Sequence, residues 1–209
     1  MIRQAVAAGV HLELLALREG DEFAIDADRT VVLSRGLFRD LSQTRTPQGV
    51  LAVGRAQQRT AAEAVAAAIA AGWPLLVLDR VQDPGNVGAI VRTAAAAGAP
   101  ALAVLPGTAD PFGAKAIRAS AGHVFNLVVA EANWDDLASL QCLGASAIGT
   151  PLEEADLASA GALVLGSEAH GLSHPMATVA LPMAAGVESL NVAAAAAILL
   201  YEVRRRIAA

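Results

Sequence analysis

The sequence is short of the residues that several classes of function require. It has one cysteine, Cys142, in 209 residues. That excludes an internal disulfide and any cysteine cluster around a metal, and no metal site is expected. It lacks a long apolar run. The longest is Val192 to Tyr201, ten residues, where a membrane span needs roughly 20. The mean hydropathy of +0.49 therefore reads as buried core helices rich in alanine, with no membrane partner. The opening, MIRQAVAAGV, lacks the apolar region and cleavage site of a signal peptide. A soluble cytoplasmic protein is expected. The length is enough for one large domain, or a small one beside a medium one.

Lysine is nearly absent, with Lys115 alone, and the formal net charge is −5. Phosphate binding leans on lysine and arginine, so the total argues mildly against a nucleic-acid partner. Distribution counts for more. Arginines 29, 35, 39, 45, 55 and 59 face a single acid in their stretch, Asp40. Two readings stand: a solvated basic surface, or an RNA-docking face in which Arg35, Arg39 and Arg45 take part.

Residues 1–57 read as a short α/β piece, with a helix at Ile2–Ala8 and strands at Leu12–Leu17, Thr30–Leu33 and Gly49–Val53. Thr60-Ala61-Ala62-Glu63 fits a capping box, a Thr hydroxyl and a Glu carboxylate satisfying free N–H groups at a helix start. Residues 58–72 are taken as a connecting helix, and 73–209 as the larger domain. There, apolar strands are expected at Leu75–Leu78, Ala101–Leu105, Phe125–Val129, Ala145–Ile148, Ala162–Leu165 and Val179–Leu181. Helices are expected at Val87–Ala97, Pro111–Ala119, Trp134–Leu140 and Val192–Ile207. Continuous apolar strands alternating with helices predict a mostly parallel sheet covered on both faces. In such sheets ligands bind beyond the carboxyl ends of the strands.

Three segments at strand ends could carry chemistry. The first, Leu78 to Ala94, passes from a strand through a Pro/Gly turn into a helix starting near Asn86. Val87, Ile90, Val91 and Ala94 form its buried stripe. Asn86 is a natural N-cap. Gly88, one turn before Arg92, is read as leaving that arginine room on a buried face to hold a phosphate or ribose. The turn also invites a nicotinamide-dependent oxidoreductase reading. Its G-x-x-G spacing and the lack of an acid ending the next strand weigh against it. The second segment runs from Leu163 through Gly166, Ser167, Glu168, His170 and Gly171 to Leu172. The third runs from Leu181-Pro182-Met183 to Ser189-Leu190-Asn191, where Ser189 or Asn191 caps the last helix. A helix start with free N–H groups also suits a ligand carboxylate.

Together, in this order, these segments resemble the three motifs of the SpoU/TrmH RNA methyltransferases, a branch of the SPOUT superfamily. Asn86 to Ala94 is similar to its N-x-G-A-I-x-R-T-A element. Gly166 to Leu172 is similar to G-S-E-x-x-G-L, and Pro182-Met183 through Asn191 to P-M…S-L-N. Arg118-Ala119-Ser120-Ala121-Gly122 resembles the R-A-S-A-G run between the first two. Thr44 to Val53 resembles the T-x-x-P-Q-G-V-x-A-V stretch of the L30e-like RNA-binding domain common in the family. Family members carry a further strand and helix before this point, so the chain would begin partway through that domain.

The resemblance implies an α/β knot, with the C-terminal segment threaded into a trefoil, and a homodimer. It implies S-adenosyl-L-methionine as cofactor, contacted by Thr150, Gly166, Leu181, Met183 and Leu190. Asn86, Arg92, Glu168, Ser189 and Asn191 would form the polar catalytic set. The implied reaction is methyl transfer to a ribose 2′-hydroxyl of ribosomal or transfer RNA. The family account makes Arg92 the proton acceptor. Because arginine stays protonated in nearly all protein settings, Arg92 is read here as binding the phosphate beside the target ribose. A non-catalytic RNA-binding protein of the same fold is the alternative.

Overall fold

The computed structural model describes residues 1–42, 44, 46–167 and 169–208. The expected RNA contact Arg45 and the expected catalytic Glu168 therefore lie outside the described residues. The chain divides into two compact units, Met1–Gln57 and Gln58–Ala209.

The first unit contains α1 (Ile2–Ala7), β1 (His11–Arg18), β2 (Arg29–Leu33), α2 (Arg35–Leu41) and β3 (Val50–Arg55). Its sheet runs β2-β1-β3, with β1 parallel to β2 and antiparallel to β3. Ser34 starts α2 by accepting a hydrogen bond from Leu37 N. The buried core is small: Ala5, Leu12, Leu15, Ala16 and Phe38.

In the second unit the capping box at α3 (Ala61–Ala70) is formed. Thr60 Oγ1 accepts from Glu63 N at 3.2 Å, and Glu63 Oε2 accepts from Thr60 N at 2.7 Å. The helix is not a bare connection. Ala64 and Ala68 are buried in the cluster that covers one face of the large sheet, so α3 belongs to that unit's core.

The remaining elements are β4 (Leu75–Asp79), α4 (Pro84–Ala97), β5 (Ala101–Val104), α5 (Ala114–Ala119), β6 (Val128–Glu131), β7 (Cys142–Ser146), β8 (Thr150–Pro151), β9 (Ala162–Gly166), β10 (Ala177–Ala180) and α6 (Val192–Ile207). Seven strands form one sheet in the order β6-β5-β4-β9-β7-β10-β8, and every pairing is parallel. Side chains alternate across it. Leu76, Leu78, Leu102, Leu163 and Leu165 pack under α4, α5 and α6. Leu75, Val77, Ala101, Ala103 and Val164 pack under α3. Burial on both faces is why these strands read as unbroken apolar runs.

Several boundaries differ from the sequence reading. His123–Asn126 is a 3-10 turn, and the strand expected at 125–129 starts only at Val128. The strand expected at 145–148 lies at Cys142–Ser146, and the helix expected at 134–140 is a 3-10 turn, Trp134–Leu137. In the last case Asn133 and Asp136 cap each other and close a single turn. Among the described residues no helix is long and apolar enough to cross a membrane.

Candidate active site

The site grows from the carboxyl ends of β4, β9 and β10, where the three sequence segments leave the sheet. Beyond β4 the chain turns and starts α4 at Asp83, not at Asn86. Asp83 Oδ1 accepts from Gly85 N at 2.6 Å and from Asn86 N at 3.1 Å. Pro84 occupies the first helical position, where its missing N–H costs nothing. Lys115 of α5 holds the other carboxylate oxygen at 2.9 Å. With these three donors, Lys115 first, the Asp83 carboxyl sits below the usual range.

Relieved of capping, Asn86 accepts a hydrogen bond at Oδ1 from Asn191 Nδ2 at 3.2 Å. Asn191 itself caps α6: its Oδ1 accepts from Ala193 N at 3.0 Å and Ala194 N at 3.3 Å. Two amides, 105 residues apart in sequence, thus join the starts of α4 and α6.

Gly88 does not make room for Arg92. A Cβ at Gly88 would lie 3.0 Å from Ser120 N and closer still to Ala116 O and Ala119 Cβ. The missing side chain lets the end of α5 press against α4. Small residues in the Arg118–Gly122 run serve the same contact, and Ser120 is fully buried. Arg92 is correspondingly exposed, not on a buried face, and makes no hydrogen bond or ion pair with any described residue.

After β9 the chain folds back tightly. Ser167 N donates to Gly171 O at 3.1 Å, and Gly171 N donates to Ser167 O at 2.8 Å. A Cβ at Gly166 would lie 2.6 Å from both C and O of Gly171, so any other residue would push this backbone apart. Among the described residues no helix follows the turn before β10. Between this fold and the segment after β10 lies a cleft of about 420 Å³. Gly166, Leu181, Met183 and Leu190 line it, with Ser189 beside them. Its floor is formed by Leu165, Val179 and Val192, which belong to the buried core. Thr150 stands on β8, exposed and outside the lining. Of the arginines expected to meet RNA, Arg35 and Arg39 are exposed on α2. Arg55 is engaged by Glu13 at 2.8 Å, and Arg59 by Glu63 at 3.3 Å.

Two further residues that the sequence reading passed over shape the site. Asp79, 1% exposed, accepts at Oδ2 from Ser173 N at 2.5 Å and so pins the chain beyond Leu172 to the end of β4. An acid closing the otherwise apolar run Leu75–Leu78 is the signal that could have revealed it. Arg206 of α6 donates from Nη2 to Leu152 O at 2.6 Å and from Nη1 to Ala155 O, while its Nε is held by Glu202 at 2.7 Å. It ties down the chain that follows Thr150. Arg205 and Arg206 together hold the Glu202 carboxyl at about 2.

Residues 74–201 match the SpoU rRNA Methylase family. The chain is 33% identical over 201 residues to the 23S rRNA (guanosine(2553)-2′-O)-methyltransferase RlmP of Bacillus subtilis, covering 88% of this chain and 78% of that protein. Its fold is similar to the SpoU methyltransferase AviRb of Streptomyces viridochromogenes in complex with AdoMet, with TM-score 0.81 and 25% identity over 100% of this chain and 88% of that one. It is likewise similar to the AdoMet-bound rRNA methyltransferase of Sinorhizobium meliloti, with TM-score 0.82 and 26% identity over 99% and 84% of the two chains. A parallel sheet whose second and third motif loops line one cleft, with the first tied to the third through Asn86 and Asn191, and a match over most of the chain, make this protein a member of the SpoU rRNA methylase family.

Proposed function

We propose that the chain transfers a methyl group from S-adenosyl-L-methionine to a ribose 2′-hydroxyl of ribosomal or transfer RNA. The observation that carries this reading is the cleft at Gly166, Leu181, Met183 and Leu190, which lies at the end of the sheet where α4 and α6 are joined through Asn86 and Asn191. The cleft suits such a ligand. Leucine and methionine walls accept an adenine ring, and the bare backbone at Gly166 permits close approach. When bound, the cofactor supplies an electrophilic methyl on a sulfonium whose leaving group is neutral, so no general acid is needed.

The protein's own work is then alignment and proton removal. Asn86, Ser189 and Asn191 orient the ribose and Arg92, Glu168 completes that polar set by family likeness, and Thr150 contacts the cofactor. Arg92, exposed and uncommitted to any described partner, binds the phosphate next to the target ribose. The hydroxyl proton leaves to that phosphate or to a transiently neutral Arg92. Arg35, Arg39 and Arg45 of the first unit grip the RNA, and that small α/β unit is an L30e-like domain. The C-terminal segment forms the family's trefoil knot, and the exposed Ile198 and Tyr201 of α6, 45% and 52% accessible, are covered by a second copy in a homodimer. The protein acts in the cytoplasm.

The test is to incubate purified protein and labelled S-adenosylmethionine with RNA from a strain lacking the gene, and to identify the labelled nucleoside by mass spectrometry. A 2′-O-methyl nucleoside is expected. Label on a base, or none, contradicts the reading.

A further inference from the structure

A second cleft, of about 310 Å³, opens on the same edge of the large sheet, at the ends of β4 and β5. Its lining includes Asp79, Arg80, Asn133, Trp134, Asp135 and Ser173. The two clefts are neighbours through shared structure. Asp79 is the register partner of Gly166, and Leu172 lines the first cleft while Ser173 lines the second. We propose that this second cleft holds a nucleotide of the RNA next to the methylated one, its base continuing the Trp134–His174 stack and its phosphate meeting Arg80. The inference rests on the function proposed above.

Three observations support it. Trp134 is one of only two tryptophans in the chain, and it stacks on His174 with ring centroids 5.0 Å apart and planes at 26°. Its indole N–H is fixed by Ser173 Oγ at 3.1 Å. A pair of stacked rings at a cleft rim is a platform on which any base can add a layer.

Arg80 has φ +59°, the left-handed region, where a non-glycine residue is strained. Its Nε is buried without a hydrogen-bond partner, 3.5 Å from the buried Asp79 Oδ1, and its stem lies against Gly107. Glycine would suit this backbone better, and a guanidinium with an unmet donor is costly unless something else engages it. Strain of this kind at a cleft is a sign of function.

Asp79 also bonds the backbone of Ser173. The carboxylate that steadies Arg80 therefore fixes the wall between the two clefts. A nucleotide seated beside Ser173 would present its neighbour to the cofactor cleft.

The experiment compares the full-length wild type with Arg80→Gly, Trp134→Ala and Trp134→Phe. Initial methylation rates are measured against the concentration of unmodified rRNA and tRNA from a strain lacking the gene, and S-adenosylmethionine affinity by calorimetry. Arg80→Gly removes the guanidinium while relaxing the backbone, so its melting temperature should be no lower than wild type. Its KM for RNA should rise about tenfold, the scale of one lost base or phosphate contact, with kcat and cofactor affinity within about twofold. Trp134→Ala should raise KM by a similar factor, and Trp134→Phe, which keeps a stacking ring, should recover most of it. Wild-type KM in both Arg80→Gly and Trp134→Ala would overturn the subsite while leaving the methyltransferase reading intact. A wild type that methylates no RNA would overturn both.

Discussion

The two units place their apolar residues differently. In the first, β2 and β3 contain no fully buried residue, and one buried aromatic, Phe38, anchors the helix. In the second, all five residues of β4 and all four of β5 are buried. A parallel sheet closed on both faces fixes the ends of its strands firmly, and the motif loops that follow β4, β9 and β10 hang from those ends. A thin three-stranded unit cannot hold reacting groups to that tolerance, but it can display arginines, and α2 displays Arg35 and Arg39. The contrast leaves firmly held strand ends in the second unit and exposed arginines on α2 of the first.

The contrast can be broken or sharpened in five ways. Arg92→Ala should cut methyl transfer by at least about 100-fold without changing cofactor affinity or melting temperature; activity within tenfold of wild type would remove Arg92 from the reaction. Phe38→Ala should cost the first unit about 3–5 kcal/mol and leave cofactor binding by the second unit unchanged in calorimetry. Loss of both together would mean the units are not independent. Gly166→Ala should do the reverse. The added methyl forces the Ser167–Gly171 backbone apart, at about 1–3 kcal/mol, and weakens S-adenosylmethionine binding while hydrogen exchange in the first unit stays unchanged.

Asn191→Ala should cost about 1 kcal/mol through the lost α6 cap and lower kcat as well, because Asn86 loses its hydrogen bond from Asn191; Asn191→Ser, which restores a cap but not the amide, should recover stability alone. The smallest effect is acid sensitivity. The Glu202 carboxyl, held at about 2 by Arg205 and Arg206 against an ordinary 4.5, contributes stability at pH above about 4.5 that fades as pH falls toward about 2. Thermal melts of wild type and Glu202→Gln should therefore converge across that window. Melts that stay parallel would show the ion pairs do not matter to folding.

The large sheet could be read from the sequence because strands buried on both faces appear as plain apolar runs, as at Leu75–Leu78 and Ala162–Leu165. The first two motif loops could be read because each leaves such a strand, whereas β10, before the third, buries only Val179. What escaped depends on contacts between distant segments. Asp83 and Asn86 are both good caps, and only Pro84 in the first helical position distinguishes them. Gly88 faces α5, a helix some thirty residues later, so a helical spacing rule applied to α4 alone linked it to Arg92 instead. The Asp79 bond to Ser173 spans 94 residues and leaves no local pattern. The 3-10 turn at Trp134–Leu137 is hard to tell from a helix in the sequence, because a reciprocal Asn133–Asp136 cap can start either.

The most direct test is a crystal structure of the full chain with S-adenosylmethionine. The account predicts the cofactor between the Gly166–Leu172 fold and the Leu181–Leu190 segment, with its methyl toward the side where Asn86 meets Asn191. Cofactor bound elsewhere, or a cleft that remains empty at saturating concentration, would contradict it.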